Sequence, residues 1–152
     1  VVAALHLQGI RKLIIVNGHG GNSFKNMIRD LSVDFPDFLI AITNWYGIVP
    51  QEGYFENKDD HAGELETSVM MYYHPELVNL EEAGEGTSKP FALSSLNAQI
   101  AWLPRYWSKV SADTGIGDPR KSTPEKGERY AKAVIEKLAL LFTEIGTKEV
   151  YL

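Results

Sequence analysis

The sequence predicts an α/β fold with a parallel sheet, because two candidate strands flank a candidate helix. Residues 12–16 and 38–42 are short apolar segments with β-branched content, which is typical of buried strands. The segment between them carries apolar residues at the 3.6-residue spacing of a helix: Phe24, Met27, Ile28 and Leu31. Strand, helix and strand in this order form a βαβ unit, for which parallel pairing and a right-handed crossover are expected.

The first two helices are predicted from their ends. The opening residues fit the last turns of a helix, in which Leu5 and Leu7 precede a stop at Gly9. Asn22 or Ser23 is the expected N-cap of the helix between the strands, because short polar side chains accept the free N–H groups there.

Two further helices follow, with a long irregular segment between them. The first is predicted from about residue 62 to residue 73, with Asp60 as its cap. The last begins at Pro124 behind Thr123 as N-cap. Residues 79–123 show little periodicity, and a loop of this length is usually functional or packed on a partner.

The composition excludes several classes of function. Fifteen Lys and Arg against twenty Asp and Glu give a net charge of −5, so neither nucleic acid nor an anionic membrane is an expected partner. The chain has no Cys, which excludes disulfides, thiolate metal sites and a Cys nucleophile. At 152 residues the chain is long enough to bury a hydrophobic core of its own, so we expect a single domain over residues 1–152. We also expect the protein to be a cytoplasmic enzyme.

The first candidate site is the glycine loop, defined as residues 17–22, which follows the first strand. Ligands of open α/β sheets bind at this end of parallel strands. Gly20, Gly21 and Asn22 are candidate substrate-binding residues, because glycines let the backbone approach a ligand and helix N–H groups favour an anion. His19 is a candidate metal ligand, or a loop residue that hydrogen-bonds its own backbone. Neither G-x-G-x-x-G nor G-x-x-x-x-G-K-[ST] is present, so the phosphate motifs are excluded.

The second candidate site is an acidic segment around His61, in which four carboxylates stand within eight residues: Asp59, Asp60, Glu64 and Glu66. Capping by Asp60 and interaction of Glu64 with the helix dipole would explain two of them. Glu66 lies among apolar residues, where a buried carboxylate needs a cation or a hydrogen-bond donor. His61 is suited to general acid or base catalysis, or to stabilising an oxyanion.

Trp45 and Tyr46 follow the second strand, at the same edge of the sheet as His19. Aromatic side chains there either form the wall of a pocket or cover the core. His6 and His74 are predicted to have structural roles, because one lies within a helix and the other at a helix end.

Three segments together resemble the creatininase family of metal-dependent amidohydrolases: residues 14–22, 61–71 and 115–127. The first reads Ile-Ile-Val-Asn-Gly-His-Gly-Gly-Asn, the second begins His-Ala-Gly-Glu-Leu-Glu-Thr-Ser, and the third begins Gly-Ile-Gly-Asp-Pro-Arg. The resemblance implies a three-layer α/β/α sandwich on a mostly parallel sheet. It also implies a homo-oligomer, typically a hexamer.

The resemblance implies a role for each candidate residue. His19 matches a metal-binding histidine, His61 matches the histidine assigned to catalysis, and Trp45 matches an aromatic that covers the substrate. Glu66 matches an acidic residue beside the metal centre, either a ligand or a support for ligands. The implied reaction is hydrolysis of the C–N bond of a small-molecule amide, cyclic amide or formamide. One or two divalent ions per complete subunit, Zn, Mn or Fe, would activate the water.

Differences from the family bear on substrate and activity. Gly21 stands where the creatinine-hydrolysing members have a metal-binding Glu, and residues 57–60 lack their second Trp. Creatinine is therefore not the expected substrate. The family segment that supplies a Glu, a His and a bridging Asp to the metal centre has no counterpart here, since Val1 matches the middle of the family. We expect the chain to be N-terminally incomplete and inactive alone.

Two other interpretations of these residues stay open at the level of sequence. The glycine loop could belong to a non-catalytic α/β module that binds an anion, with the acidic segment serving only as helix capping. The chain could also be a structural remnant of the family that folds or assembles without catalysis.

Overall fold

A computed structural model describes residues 1–57 and 60–151, so the prediction made for Asp59 lies outside the described residues. Helices and strands follow one another as α1 (Val2–Leu7), β1 (Lys12–Asn17), α2 (Lys25–Asp34), β2 (Leu39–Asn44), α3 (Glu64–Tyr73), α4 (Ser94–Asn97), α5 (Trp107–Val110) and α6 (Pro124–Thr147). In the described ranges, none of these helices is long and apolar enough to cross a lipid bilayer.

The chain forms two compact units. The first contains Val1–Pro50 and Ala133–Leu152, and the second contains Gln51–Lys132. The predicted strands and the glycine loop belong to the first unit, whereas the described part of the acidic segment belongs to the second. A single domain over residues 1–152 stays a prediction.

β1 and β2 pair in parallel, with Lys12 opposite Leu39 and Asn17 opposite Asn44. α2 connects the two strands and contacts β2, so the predicted βαβ unit is confirmed. Within residues 1–57 and 60–151 the sheet consists of these two strands. Their parallel register brings both carboxyl ends to one edge, which places the glycine loop beside the residues that follow β2.

The predicted N-cap of α2 is wrong. The helix begins after Phe24 without a side-chain cap, rather than after Asn22 or Ser23. The Asn22 amide donates to the side-chain oxygen of Asn17 at 2.9 Å instead. The Asn22 side chain, a predicted cap, therefore forms a hydrogen bond within the glycine loop in place of one to the helix.

The other two predicted caps have opposite outcomes. α3 begins after Gly63 without a side-chain cap, and the Asp60 carboxylate binds the Arg105 guanidinium rather than the helix, so that prediction is wrong. α6 begins at Pro124 as predicted, and the Thr123 hydroxyl accepts the Lys126 N–H at 3.2 Å. This contact confirms Thr123 as the N-cap of α6.

The second unit is built around the contact between α3 and the first turns of α6. Leu65 and Tyr130 are almost completely buried, and the Tyr130 ring packs on Phe55 with centroids 5.2 Å apart. At Gly127 the two backbones approach so closely that a Cβ would lie 2.0 Å from the Ser68 carbonyl oxygen. This contact fixes the position of α3 within the unit, and with it the residues that open the helix.

We expect Gly127→Ala to lower the free energy of unfolding by about 2 kcal/mol or more, because the atoms it meets are backbone atoms that cannot rotate away. Gly146→Ala is a matched control in the same helix, since in the described part of the chain no atom beyond its own helical turn lies within 4 Å of the added methyl group. The better helix propensity of Ala should raise stability there by up to about 1 kcal/mol. Urea unfolding followed by circular dichroism measures both changes. Equal effects of the two substitutions would contradict the close approach at Gly127.

Candidate active site

The glycine loop is held closed by the side chain of Asn17, a residue that is 2% exposed. Its amide nitrogen donates to the His19 carbonyl oxygen at 2.9 Å and to the Asn44 side-chain oxygen at 2.8 Å. Its side-chain oxygen accepts the His19 N–H at 3.2 Å and the Asn22 side-chain amide at 2.9 Å. One buried amide at the end of β1 therefore ties the loop to itself and to the end of β2.

The imidazole of His19 packs back onto its own loop. The Gly21 N–H donates to Nδ1 at 3.0 Å, which places the proton of a neutral ring on Nε2. A metal ion binds the lone pair of an unprotonated ring nitrogen. Coordination by His19 therefore requires the loss of either the Gly21 bond or the Nε2 proton, and its role as a ligand stays a prediction.

Trp45 and Asn22 both shape the glycine loop. The Trp45 indole N–H donates to the Gly18 carbonyl oxygen at 3.2 Å, and the Asn22 side chain is bound as described above. Gly20 faces the Tyr46 ring, whose hydroxyl would lie 3.7 Å from a Cβ at that glycine. The substrate-binding roles of these residues and of Gly21 stay predictions.

The N–H groups of the loop are largely used within it. The His19 N–H donates to the Asn17 side chain, and the Gly21 N–H donates to the His19 ring. The Asn22 N–H donates to the His19 carbonyl oxygen. α2 begins only at Lys25, three residues beyond the loop. Few loop donors are thus left for an anion, which weakens the interpretation of the loop as an anion cradle.

The backbone of His61, in the second unit, is bonded on both of its polar groups. Its N–H donates to the Ile116 carbonyl oxygen at 3.0 Å and its carbonyl oxygen accepts the Ile116 N–H at 2.8 Å. The next residue, Ala62, has a φ of 52°, in the left-handed region that residues other than glycine rarely adopt. The His61 ring packs on Trp107 with centroids 4.9 Å apart. These restraints together fix the direction of the imidazole.

Glu66 lies beside His61 and restrains the same segment. Its Oε2 accepts the Ala62 N–H at 2.7 Å and is 3.9 Å from Nδ1 of His61. Both side chains are 31% exposed, so a ligand can reach them. Glu66 is therefore only partly buried, and the Ala62 N–H is the hydrogen-bond donor that a carboxylate among apolar residues was expected to need.

Glu64 is the carboxylate that α3 buries, with 0% of the residue exposed. Its Oε1 accepts from Nζ of Lys126 at 2.5 Å, and its Oε2 accepts the N–H groups of Glu56 and Asn57, each at 2.9 Å. The predicted interaction with the helix dipole agrees with its place in the first turn. Glu64 also forms a buried ion pair with Lys126, which no local pattern in the sequence indicates.

The hydrogen bond to Glu64 raises the pKa of the Lys126 amine above its usual range, and a second bond to Glu56 adds to this, against the opposing effect of burial. A pKa raised by folding means that the folded state holds the proton more tightly than the unfolded chain. The stability contributed by the pair is therefore complete below the usual pKa of Lys. It is lost only as the pH rises through the raised value.

Trp107, Arg105 and Lys126 are the side chains near these carboxylates that the sequence analysis missed. Trp107 contacts His61, while Arg105 lies 5.6 Å from the centroid of the Trp107 ring and binds the carboxylate of Asp60. The only signal of Trp107 and Arg105 in the sequence is a Trp and an Arg within an otherwise irregular segment, whereas Lys126 lies in the first turn of α6. Such a signal is weak, because aromatic residues in loops also cover cores.

The described residues do not by themselves fit the metal centre that the resemblance implies. Within residues 1–57 and 60–151, no three His, Asp or Glu side chains come together in a way that could hold a metal ion. A catalytic zinc site uses three protein ligands as a rule.

Comparison with known sequences identifies one family. The sequence model of the creatininase family, described as creatinine amidohydrolase, matches residues 1–142. A mycofactocin precursor peptide peptidase from Mycobacterium ulcerans is 30% identical over 129 residues, which cover 82% of this chain and 45% of the relative. A creatinine amidohydrolase from Pseudomonas putida is 22% identical over 155 residues, with 91% and 57% covered. The chain therefore spans about half the length of the curated relatives that it matches.

Solved structures agree with the predicted fold. A Bacteroides fragilis protein described as a candidate creatinine amidohydrolase is 61% identical, with a TM-score of 0.95 over 99% of this chain and 60% of that protein. A creatininase mutant of the Zn-Zn type is 23% identical, with a TM-score of 0.73. The match covers 94% of this chain and 59% of the mutant's chain. A Mn creatininase is 21% identical with a TM-score of 0.69, over 94% and 60%. The predicted creatininase-like α/β fold is confirmed.

We expect Gly21→Ala to displace the His19 ring, because a Cβ at this position would lie 2.9 Å from Cε1 and 3.0 Å from Nδ1 of the imidazole. The ring can rotate away, so the free energy of unfolding should change by less than about 1 kcal/mol. The His19 ring resonances should shift in ¹H–¹³C spectra. Gly18→Ala is the control, since among residues 1–57 and 60–151 no atom other than those of its chain neighbours lies within 4 Å of the added methyl group. Unchanged His19 resonances in Gly21→Ala would contradict this loop geometry.

Lys126→Met should lower the free energy of unfolding by about 3–5 kcal/mol, because it leaves the buried Glu64 carboxylate without its cation. Lys132→Met is the matched control, which removes an exposed pair with Glu128 and should have a much smaller effect. Urea unfolding at pH 7 measures both. A loss below about 1 kcal/mol in Lys126→Met would show that the two backbone donors compensate the carboxylate alone.

Proposed function

Because the chain belongs to the creatininase family, we propose that it supplies part of the active site of a metal-dependent amidohydrolase, with His61 as its catalytic residue. The observation that carries this proposal is the set of restraints on one partly exposed imidazole. The ring is held by a doubly bonded backbone, an aromatic contact and a carboxylate 3.9 Å away. Such a fixed and accessible imidazole suits proton transfer to a bound substrate.

The proposed role of His61 is to carry the proton of the hydrolytic reaction. Amide cleavage needs a proton on the departing nitrogen, and His61 can take one from the attacking water and pass it on. While the ring holds that proton, its positive charge lies next to the Glu66 carboxylate. Trp107 limits rotation of the ring, so the proton stays aimed in one direction.

One or two divalent ions per complete subunit, Zn, Mn or Fe, are the proposed cofactors, and the Zn and Mn creatininase structures support this class of metal. By the family resemblance, His19 is proposed as a metal ligand, and Glu66 is proposed either as a ligand or as a support for ligands. The described residues do not form a metal site by themselves. We therefore propose that other ligands lie in the part of the relatives' length that this chain does not span, and that the chain alone is inactive.

The proposed substrate is a small molecule with an amide, cyclic amide or formamide C–N bond, and not creatinine. Position 21 has no room for a side chain while the His19 ring keeps its place, in line with the missing Glu. A peptide bond is the second candidate, favoured by the 30% identity to a peptide peptidase. An anion-binding module is less well supported, since the loop donors are used internally. The complete protein is proposed to be a cytoplasmic homo-oligomer, a hexamer by the family resemblance.

The proposal predicts that metal content and activity both require the complete protein. Elemental analysis, followed by a screen of cyclic amides, formamides, creatinine and short peptides, compares this chain with the product of its complete reading frame. In the complete protein, His61→Gln should lower kcat about 100- to 10,000-fold at unchanged metal content. His74→Gln is the matched control, because this exposed histidine bonds Glu76 at 3.2 Å and takes no part in the reaction proposed here.

Each outcome of this experiment bears on a different part of the proposal. Turnover by the 152-residue chain would contradict the expected inactivity. Absence of metal from both proteins would favour the anion-binding module. Equal activity of the two histidine variants would remove His61 from the mechanism.

A further inference from the structure

A cavity of about 360 Å³ lies beside α3 in the second unit. One wall is the face of α3 that carries Glu66 and Met70, and the segment from Leu77 to Ala83 forms the other, with Pro119 also lining it. Its volume is at the lower end of the roughly 300–1,000 Å³ that small-molecule sites occupy. The cavity is therefore large enough for a small organic group, and it borders the candidate active site through Glu66.

The lining of the cavity is apolar except for three side chains. Two of these are engaged in local hydrogen bonds: the Thr67 hydroxyl donates to the Ala62 carbonyl oxygen at 3.3 Å, and the Asn79 side-chain oxygen accepts the Glu81 N–H at 3.2 Å. Among the described residues that line the cavity, Glu66 is the only one with an ionisable side chain. The polar character of the cavity therefore comes mainly from one carboxylate at its edge.

The apolar lining and the single carboxylate together favour a particular class of ligand. A branched aliphatic group can fill the apolar part, and each buried methylene should tighten binding by roughly four-fold. A hydrogen-bond donor is favoured at the carboxylate of Glu66, whereas a negatively charged group there would be repelled. A neutral amide carrying a branched aliphatic group satisfies both conditions.

We propose that this cavity is the subsite for a branched aliphatic group of the substrate, attached to a neutral amide whose N–H donates to Glu66. The inference rests on the proposed function and narrows its substrate class. It places the amide near the imidazole, because Glu66 lines the cavity and its Oε2 is 3.9 Å from Nδ1 of His61. Cyclic amides and formamides without an aliphatic branch would leave the cavity unfilled.

The test measures binding to the chain in a metal-free buffer, by ¹H–¹⁵N shift changes. The probes are isovaleramide, acetamide, which lacks the branch, and isovalerate, which replaces the amide by a carboxylate. We expect isovaleramide to bind at least ten-fold more tightly than either of the other probes, with shifts at the residues that line the cavity. Equal affinities for isovaleramide and acetamide would overturn the proposal.

Two pairs of variants locate the probe. Ala83→Leu fills the cavity and should abolish isovaleramide binding, while Ala98→Leu adds the same atoms at an exposed position outside it and should not. Glu66→Gln should reduce the preference for isovaleramide over isovalerate to less than about three-fold, whereas Glu76→Gln, at an exposed carboxylate, should preserve it. Binding that persists in Ala83→Leu would overturn the proposal, and so would a preference that is unchanged in Glu66→Gln.

The wild-type probe series keeps the test decisive if a variant fails to fold. The readout needs neither metal nor turnover, so its outcome is independent of the amidohydrolase proposal. Selective binding without any hydrolysis by the complete protein would keep the subsite and remove the proposed reaction. Hydrolysis by the complete protein without selective binding would keep the proposed reaction and remove the subsite.

Discussion

The geometry of the candidate active site depends on one buried carboxylate, that of Glu64. It is compensated by Lys126 and by two backbone N–H groups, and without them its burial would be strongly unfavourable. Residues two apart on an α-helix point about 200° apart, so turning Glu64 inward turns Glu66 outward. Glu66 can then accept the Ala62 N–H and lie next to His61. A single ion pair thus favours the rotation of α3 that places Glu66 beside the histidine proposed for catalysis.

The parts of the fold with a local pattern could be predicted, and the site could be predicted only in part. The two strands and the helices α1, α2, α3 and α6 carry apolar patterns within their own sequence, which is enough to recognise them. The short helices α4 and α5 lie in the segment 79–123, which lacks such a pattern. The choice between Glu64 and Glu66 as the buried carboxylate carries no such local signal. It is decided by Lys126, 62 residues away, and by the close contact of α3 with Gly127. Trp107 was missed for a related reason, since it lies in a segment without periodicity.

For the glycine loop, the sequence predicts the position in the fold but not the hydrogen bonds that shape it. The loop lies at the end of a parallel strand, as predicted, and its His lies between glycines. What the pattern does not contain is how Asn17 and Trp45 take up the loop's polar groups. Those bonds give the loop a defined shape that does not depend on a ligand.

The left-handed backbone conformation of Ala62 connects His61 to Glu66. This conformation costs about 1–2 kcal/mol for a residue with a side chain, and it is held by the bond from Ala62 to Glu66 and the bonds between His61 and Ile116. Because Oε2 of Glu66 accepts the N–H of the residue that follows His61, one carboxylate both stabilises the backbone beside the histidine and lies next to its ring.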